Sequence, residues 1–139
     1  MSVPVWCLLG FALWTILVLL IGVGIQRWSR ILTGRAQLTD FPADEPHGAP
    51  FYRRAMRAHA NCVENLPLFG AVVFAAEMAN AASPTIDALA ITALGARLVQ
   101  TLVHWASGAN AAIFVRFLFF ATQLVCFLWI GIAAGLTAL

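Results

Sequence analysis

The sequence predicts an all-α membrane protein built from four antiparallel transmembrane helices. The chain has 139 residues, of which 62% are hydrophobic and only 10% are charged, a composition that soluble domains of this length do not have. Long uncharged runs occur near both ends, and a spanning helix needs about 20 mostly apolar residues. We therefore expect one integral, multi-pass membrane domain over residues 1–139.

The first span is predicted over residues 3–27, because no charged residue occurs from Val3 to Ile25. A helix of this length rises roughly 35 Å, enough for a tilted crossing. No basic segment precedes the run and no clear cleavage site of small residues follows it. We therefore expect this helix to be retained rather than removed as a signal peptide.

The second and third spans are predicted over residues 54–80 and 84–106. Each is long enough to cross once, although each contains ionisable residues. Ser83 and Pro84 separate them, because serine is a favoured helix N-cap and proline a favoured first helical residue. The fourth span is predicted over residues 111–138, after a short turn marked by Gly108 and Asn110.

A long connection over roughly residues 28–53 joins the first two spans, and loops of this length are either lids or solvated linkers. All eight basic residues of the chain are arginines. By the positive-inside rule, this connection and the short third turn face the cytoplasm, so both termini face the outer or luminal side. Arginines at membrane ends, without a basic groove, do not indicate nucleic-acid binding. Six of them lie in the connection or at its flanking helix ends: Arg27, Arg30, Arg35, Arg53, Arg54 and Arg57.

The three cysteines and three histidines indicate neither a disulfide framework nor a metal site. Every cysteine falls inside a predicted span, where a buried thiol is the usual state. No two histidines have the spacing that would place them on one helical face as metal ligands.

Two polar stripes occur inside the second and third predicted spans. Arg57, Asn61 and Glu64 recur at intervals of four and three residues, which places them on one helical face. On the third span, Arg97, Thr101 and His104 repeat this spacing. Because charges in the bilayer are costly, we expect both stripes to face the bundle interior.

Glu64 and Arg97 are both expected at a depth of about 15 Å, from the helix rise. An ion pair between them would offset two costly charges and hold the bundle together. Further polar side chains then remain around the cytoplasmic half, and such a pocket suits a small anionic ligand. These side chains are Arg57, Asn61, His104 and Arg116.

The stretch RAMRAHANCVENLPLF, residues 54–69, resembles the second-helix signature of the MAPEG family, the membrane-associated proteins of eicosanoid and glutathione metabolism. The four spans, the long first loop and an arginine-bearing third helix containing GARLVQ fit the same family, so the resemblance covers essentially the whole chain. It implies a homotrimer of four-helix subunits. Glutathione, the co-substrate, would lie between neighbouring subunits and open to the cytoplasmic side.

The resemblance also implies site residues. Arg57, Asn61 and Glu64 match glutathione-contacting positions of the family. His104 is not part of that motif, and we expect it at the same ligand because it is one of the polar side chains of the cytoplasmic half. An arginine at the end of the first span, either Arg27 or Arg30, is expected to hold a carboxylate of glutathione, and Arg97 matches the family's third-helix arginine.

Arg116 sits where the family keeps the arginine that stabilises the glutathione thiolate. The chemistry agrees, because a thiol with a pKa of about 8.5 is mostly protonated at neutral pH and an adjacent guanidinium lowers that pKa. Alternatively, Arg116 only anchors the fourth helix at the membrane surface.

The chain departs from the family's pattern on the third helix. Gln100 and His104 stand where the family often has tyrosine, and the only tyrosine is Tyr52. Phe117 follows Arg116 where the prostaglandin synthase branch has a hydroxyl residue, so prostaglandin isomerisation is not expected.

Two functional classes remain open. The first is a glutathione transferase or peroxidase that acts on lipophilic small molecules entering from the lipid bilayer. The second is a non-catalytic glutathione-binding or scaffolding membrane protein that keeps the fold. Neither class requires a metal.

Overall fold

The computed structural model describes residues 1–42 and 47–139. Four long helices make up most of the chain. The first helix, Val3–Leu32, contains a π-helical stretch at Leu19–Gly24. The second, third and fourth helices are Pro50–Met78, Pro84–Ala106 and Asn110–Thr137.

Three of these helices are long and apolar enough to cross a membrane, namely the first, the third and the fourth. The second helix has 29 residues, which is enough in length alone. Its charged motif distinguishes it from the other three. The molecule is an integral membrane protein with an all-helical architecture.

The connection between the first two helices is shorter than the sequence predicts. We expected it over roughly residues 28–53, but the first helix continues to Leu32 and the second already begins at Pro50. Gln26 and Arg27 end the apolar run without ending the helix, since backbone hydrogen bonding does not depend on hydropathy. The connection contains a 3₁₀ turn at Leu38–Asp40, and residues 43–46 lie outside the described residues.

Hydrogen bonds define both ends of the turn between the second and third helices. The Ser83 hydroxyl accepts a hydrogen bond from the Ile86 N–H at 3.2 Å, as expected of an N-cap. Asn80, with φ of 51°, ends the second helix in a Schellman motif. In this motif the Ala81 N–H donates to the Ala76 carbonyl at 2.9 Å, and both alanines are buried.

The core is organised around three phenylalanine rings from different helices. The fully buried Phe69 ring lies 5.8 Å from the Phe11 ring and 5.1 Å from the Phe127 ring, measured between centroids. The third helix contributes small buried residues, Ala90 and Ala93, which let helix backbones approach closely. This packing fixes which face of the second helix is covered and which face remains outside.

Candidate functional site

The motif face of the second helix lies on the outside of a single chain. Arg57 and Glu64 are exposed and Asn61 is partly buried. Ala58 and Cys62 supply the face that packs into the bundle, and both are fully buried. The expectation that the polar stripe faces the interior is therefore wrong for this helix within one chain.

The polar stripe of the third helix does face the interior, as predicted. Arg97, Gln100, Thr101 and His104 are all buried. Thr101 accepts a hydrogen bond from the Trp14 indole N–H at 3.2 Å, which ties this stripe to the first helix. The third helix thus carries most of the polar side chains inside the bundle.

Arg97 is the largest fully buried side chain, with 1% of its surface exposed. Its guanidinium carbon lies 5.0 Å from the centroid of the Phe11 ring, a cation–π contact. Its Nε and Nη2 atoms have no hydrogen-bond partner among the described residues. A fully buried guanidinium therefore lies against an aromatic ring and lacks part of its hydrogen bonding.

The predicted ion pair between Glu64 and Arg97 is not formed within the chain. The two side chains interact electrostatically, but no ion-pair contact joins them in the described residues. The reason is the rotation of the second helix, which turns Cys62 toward Arg97 and Glu64 outward. Cys62, expected only to pack, lies with its Sγ atom 3.9 Å from the Thr101 hydroxyl.

Arg54 contacts the third helix beside His104, a contact that the sequence does not predict. The sequence places Arg54 only among the arginines near the first loop. Its Nε donates to the His104 carbonyl at 3.1 Å and its Nη2 donates to the Trp105 carbonyl at 3.3 Å. These carbonyls belong to the last turn of the third helix, where the helix dipole favours a cation. Arg54 therefore caps the C-terminal end of the third helix.

We expect Arg54→Gln to lower the free energy of unfolding by about 1 to 2 kcal/mol, because two charge-assisted contacts to a helix end are lost. Denaturant unfolding in detergent micelles measures this. Arg53→Gln is the matched control, since Arg53 is exposed and a surface substitution changes stability by about 0.5 kcal/mol or less. Equal stabilities of the two variants would show that Arg54 is not a cap.

The backbone around Arg116 is fixed by two buried glutamines. Gln100 Nε2 donates to the Arg116 carbonyl at 3.1 Å. Gln123 Nε2 in turn donates to Gln100 Oε1 at 3.1 Å and to the Phe119 carbonyl at 2.8 Å. Gln100, which departs from the family's aromatic residue, thus links the third helix to the fourth at Arg116.

Basic side chains of three helices act electrostatically on His104 or on one another. His104 interacts electrostatically with Arg116, Arg97 and Arg57, and Arg116 interacts with Arg57 and Arg54. Arginines that repel one another gain from an anion placed among them. We call this cluster of Arg54, Arg57, Arg97, His104 and Arg116 the basic region. It includes Arg57, His104 and Arg116, which the sequence predicts at one ligand.

The two candidate arginines of the first helix have different surroundings. The Arg27 Nε donates to the Tyr52 hydroxyl, and its guanidinium lies over the rings of Phe41 and Tyr52. Arg30 is exposed and lines a cavity at the end of the first helix. Contacts with Tyr52 and Phe41 therefore orient the Arg27 guanidinium, whereas Arg30 lines the cavity at the end of the first helix.

The described part of the chain contains no group of three His, Cys, Asp or Glu side chains placed to bind a metal ion.

Comparison with known proteins identifies one family that matches almost the whole chain. A family model described as the MAPEG family matches residues 3–136, nearly the full length. No curated protein and no solved structure matches the chain.

Proposed function

The chain belongs to the MAPEG family, and from this premise we propose that it is a glutathione-dependent membrane transferase or peroxidase. Its substrates are lipophilic electrophiles that reach the site from the bilayer. The observation that carries this proposal is the basic region, where arginines of the second and fourth helices act electrostatically on His104 and no carboxylate among the described residues forms an ion pair with them.

Glutathione has the charges that this region lacks. Its two carboxylates suit guanidinium forks, which bind carboxylates with paired hydrogen bonds. Arg57, Asn61 and His104 contact the peptide in this proposal, and Glu64 accepts from its ammonium group. Of the two first-helix arginines, Arg27 is the better partner for a carboxylate, because Tyr52 and Phe41 hold its guanidinium in one orientation.

Arg116 stabilises the glutathione thiolate. The thiolate sulfur attacks the electrophilic carbon of the substrate, a carbon–sulfur bond forms, and the leaving group departs with its electron pair. With a lipid hydroperoxide, the thiolate attacks the terminal oxygen and the oxygen–oxygen bond breaks, which gives a sulfenic acid and an alkoxide. The alkoxide takes a proton from water to become an alcohol. A second glutathione then gives the disulfide and water.

We infer a homotrimer of four-span subunits with the ligand between copies. Arg57 and Glu64 are exposed on one chain although they lie within a long helix of a membrane protein. Lipid contact would cost about 2.5 to 3.5 kcal/mol for a charge at the bilayer centre, so a neighbouring copy is the better cover. Because Glu64 is exposed and Arg97 is buried within one chain, an ion pair between them requires their side chains to rearrange when the subunits assemble.

The first and third connections face the cytoplasm in this proposal, and both termini face the outer or luminal side. The arginine-rich ends of the first and second helices support that orientation. The basic region opens toward the cytoplasm in this arrangement.

The deciding experiment is conjugation of glutathione to a chlorinated dinitrobenzene by the purified protein in detergent. Product formation above the uncatalysed rate would support the enzyme. Glutathione binding without conjugation or peroxide reduction would instead favour the non-catalytic alternative. The observation that supports this alternative is the absence of a tyrosine from the third helix.

Arg57→Ala is expected to weaken glutathione binding by about tenfold or more, because a charge-assisted contact contributes about 1.5 to 3 kcal/mol. Isothermal calorimetry on the two proteins measures the difference. Arg53→Ala, which removes a nearby exposed arginine, should bind like the parent. Equal affinities of the parent and Arg57→Ala would remove Arg57 from the site.

A further inference from the structure

The first helix ends in a Schellman motif that brings two arginines together. Gly34 has φ of 67°, a conformation that glycine adopts without strain. Its N–H donates to the Ile31 carbonyl at 3.0 Å, and the Arg35 N–H donates to the Arg30 carbonyl at 2.9 Å. This pair of bonds defines the motif and folds residue 35 back beside residue 30.

Residues in these two positions usually make an apolar contact. The second helix of this chain ends in the same motif and follows the rule, because buried Ala76 and Ala81 occupy the equivalent positions. The first helix instead has Arg30 and Arg35 there, and both are exposed. The backbone thus places two like charges where an apolar pair is the norm.

Both arginines line one cavity of about 280 Å³. Tyr52 and Phe41 form part of its wall, and the Arg27 guanidinium contacts both rings. Neither Arg30 nor Arg35 has an ion-pair or side-chain hydrogen-bond partner in the part of the chain that the structure describes. The described lining residues are Gln26, Arg30, Arg35, Ala36, Asp40, Phe41, His47, Gly48, Ala49 and Tyr52.

Asp40 is the only carboxylate among these lining residues. Its Oδ2 accepts a hydrogen bond from the Gln37 N–H at 2.8 Å, so its charge helps to cap the 3₁₀ turn. The helix dipole explains a single arginine in the last turn, a favourable placement of about 0.3 to 1 kcal/mol at exposed sites. It does not explain a second arginine folded back to the same cavity.

We propose that Arg30 and Arg35 form a binding site for the phosphate group of an anionic molecule at the membrane surface. A phosphate offers several acceptor oxygens, which two guanidinium forks can share. The first helix is 30 residues long, and its rise of about 45 Å exceeds the roughly 30 Å hydrocarbon core. Its end therefore lies at the level of lipid headgroups and of soluble phosphate esters.

The site is separate from the basic region and does not depend on the proposed function. The cavity lies between the end of the first helix, the following connection and the start of the second helix. None of the basic-region residues lines it. Of the two arginines predicted for a glutathione carboxylate, Arg30 thus has another ligand.

The test uses two probes on the full chain purified in a neutral detergent. Inorganic pyrophosphate represents a soluble phosphate, and dioctanoyl phosphatidic acid represents a lipid headgroup. Calorimetry should detect binding of at least one probe. Arg30→Gln and Arg35→Gln should each weaken that binding about tenfold, the loss of one charge-assisted contact. Arg53→Gln, an exposed arginine outside the cavity, is the matched control.

The two probes distinguish the source of the phosphate. Binding of both shows recognition of phosphate itself, whereas binding of the lipid alone or of pyrophosphate alone assigns the site to that source. A coupling in the double variant would show one shared anion. The proposal is overturned if neither probe binds at millimolar concentration, if Arg53→Gln weakens binding equally, or if glutathione displaces the probe.

Discussion

Replacing Arg97 with methionine is expected to raise the free energy of unfolding by about 1 to 4 kcal/mol. Replacing a buried ion pair with packed apolar side chains is often neutral, or stabilising by about 1 to 4 kcal/mol. Arg97 has no ion-pair contact within the described chain, so its burial is offset even less. The variant loses the cation–π contact with Phe11, worth about 0.5 to 2 kcal/mol. It removes a larger desolvation cost, and methionine adapts well to irregular space.

Denaturant unfolding of the protein in detergent micelles measures this change, and Arg53→Met at an exposed position is the matched control. The opposite sign has a clear meaning. A loss of about 3 to 5 kcal/mol would show that Arg97 has an anionic partner in the assembled protein. Glu64→Gln would then be equally destabilising, and a double-mutant cycle would report their coupling.

Spacing along one helix was enough to predict which polar side chains of the third helix face the bundle interior. Arg97 and His104 repeat with the period of a helical face, and the structure buries both. The break at Ser83 was equally readable, because an N-cap acts through residues only three positions away. Local chemistry of this kind does not require knowledge of the tertiary structure.

The rotation of the second helix was not readable in the same way. Its charged face satisfies the same spacing rule, but Ala55, Ala58 and Cys62 form the better packing surface and turn Glu64 outward. Helix association in membranes favours small residues that let backbones approach. The cost of a charge predicts that it is covered, but does not say whether the cover comes from the same chain or from a neighbour.

Contacts between distant residues also escaped the sequence. Arg54 caps the third helix across fifty positions of sequence, and its only signal was its place at the start of the motif. The first helix continued beyond its apolar run, so Arg30 became part of a helix end rather than of a loop. Hydropathy marks where a chain leaves the bilayer, which differs from where a helix stops.

Arg116→Leu is expected to lower the rate of glutathione conjugation by roughly 100- to 1,000-fold, the usual loss when a group that stabilises developing or resident negative charge is removed. Glutathione affinity should change little, because Arg57 and its neighbours hold the peptide in our proposal. The fourth helix should keep its position, since Gln100 bonds to the backbone carbonyl of residue 116 and not to the side chain.

The thiolate of bound glutathione gives the direct measurement. A guanidinium favours the charged form of the thiol, so in the parent the thiolate absorption band should appear below the ordinary thiol pKa of about 8.5. In Arg116→Leu the band should appear only at higher pH. A displacement of one pH unit corresponds to about 1.36 kcal/mol of lost stabilisation.

Arg116→Lys separates the thiolate role from that of a membrane anchor. Lysine keeps a positive charge and reaches the membrane surface as arginine does, but it lacks the planar fork. It should therefore retain part of the thiolate shift and part of the activity. If the thiolate titrates in Arg116→Leu as it does in the parent, Arg116 only anchors the fourth helix. The basic region would then hold glutathione without activating it, which is the behaviour of the non-catalytic alternative.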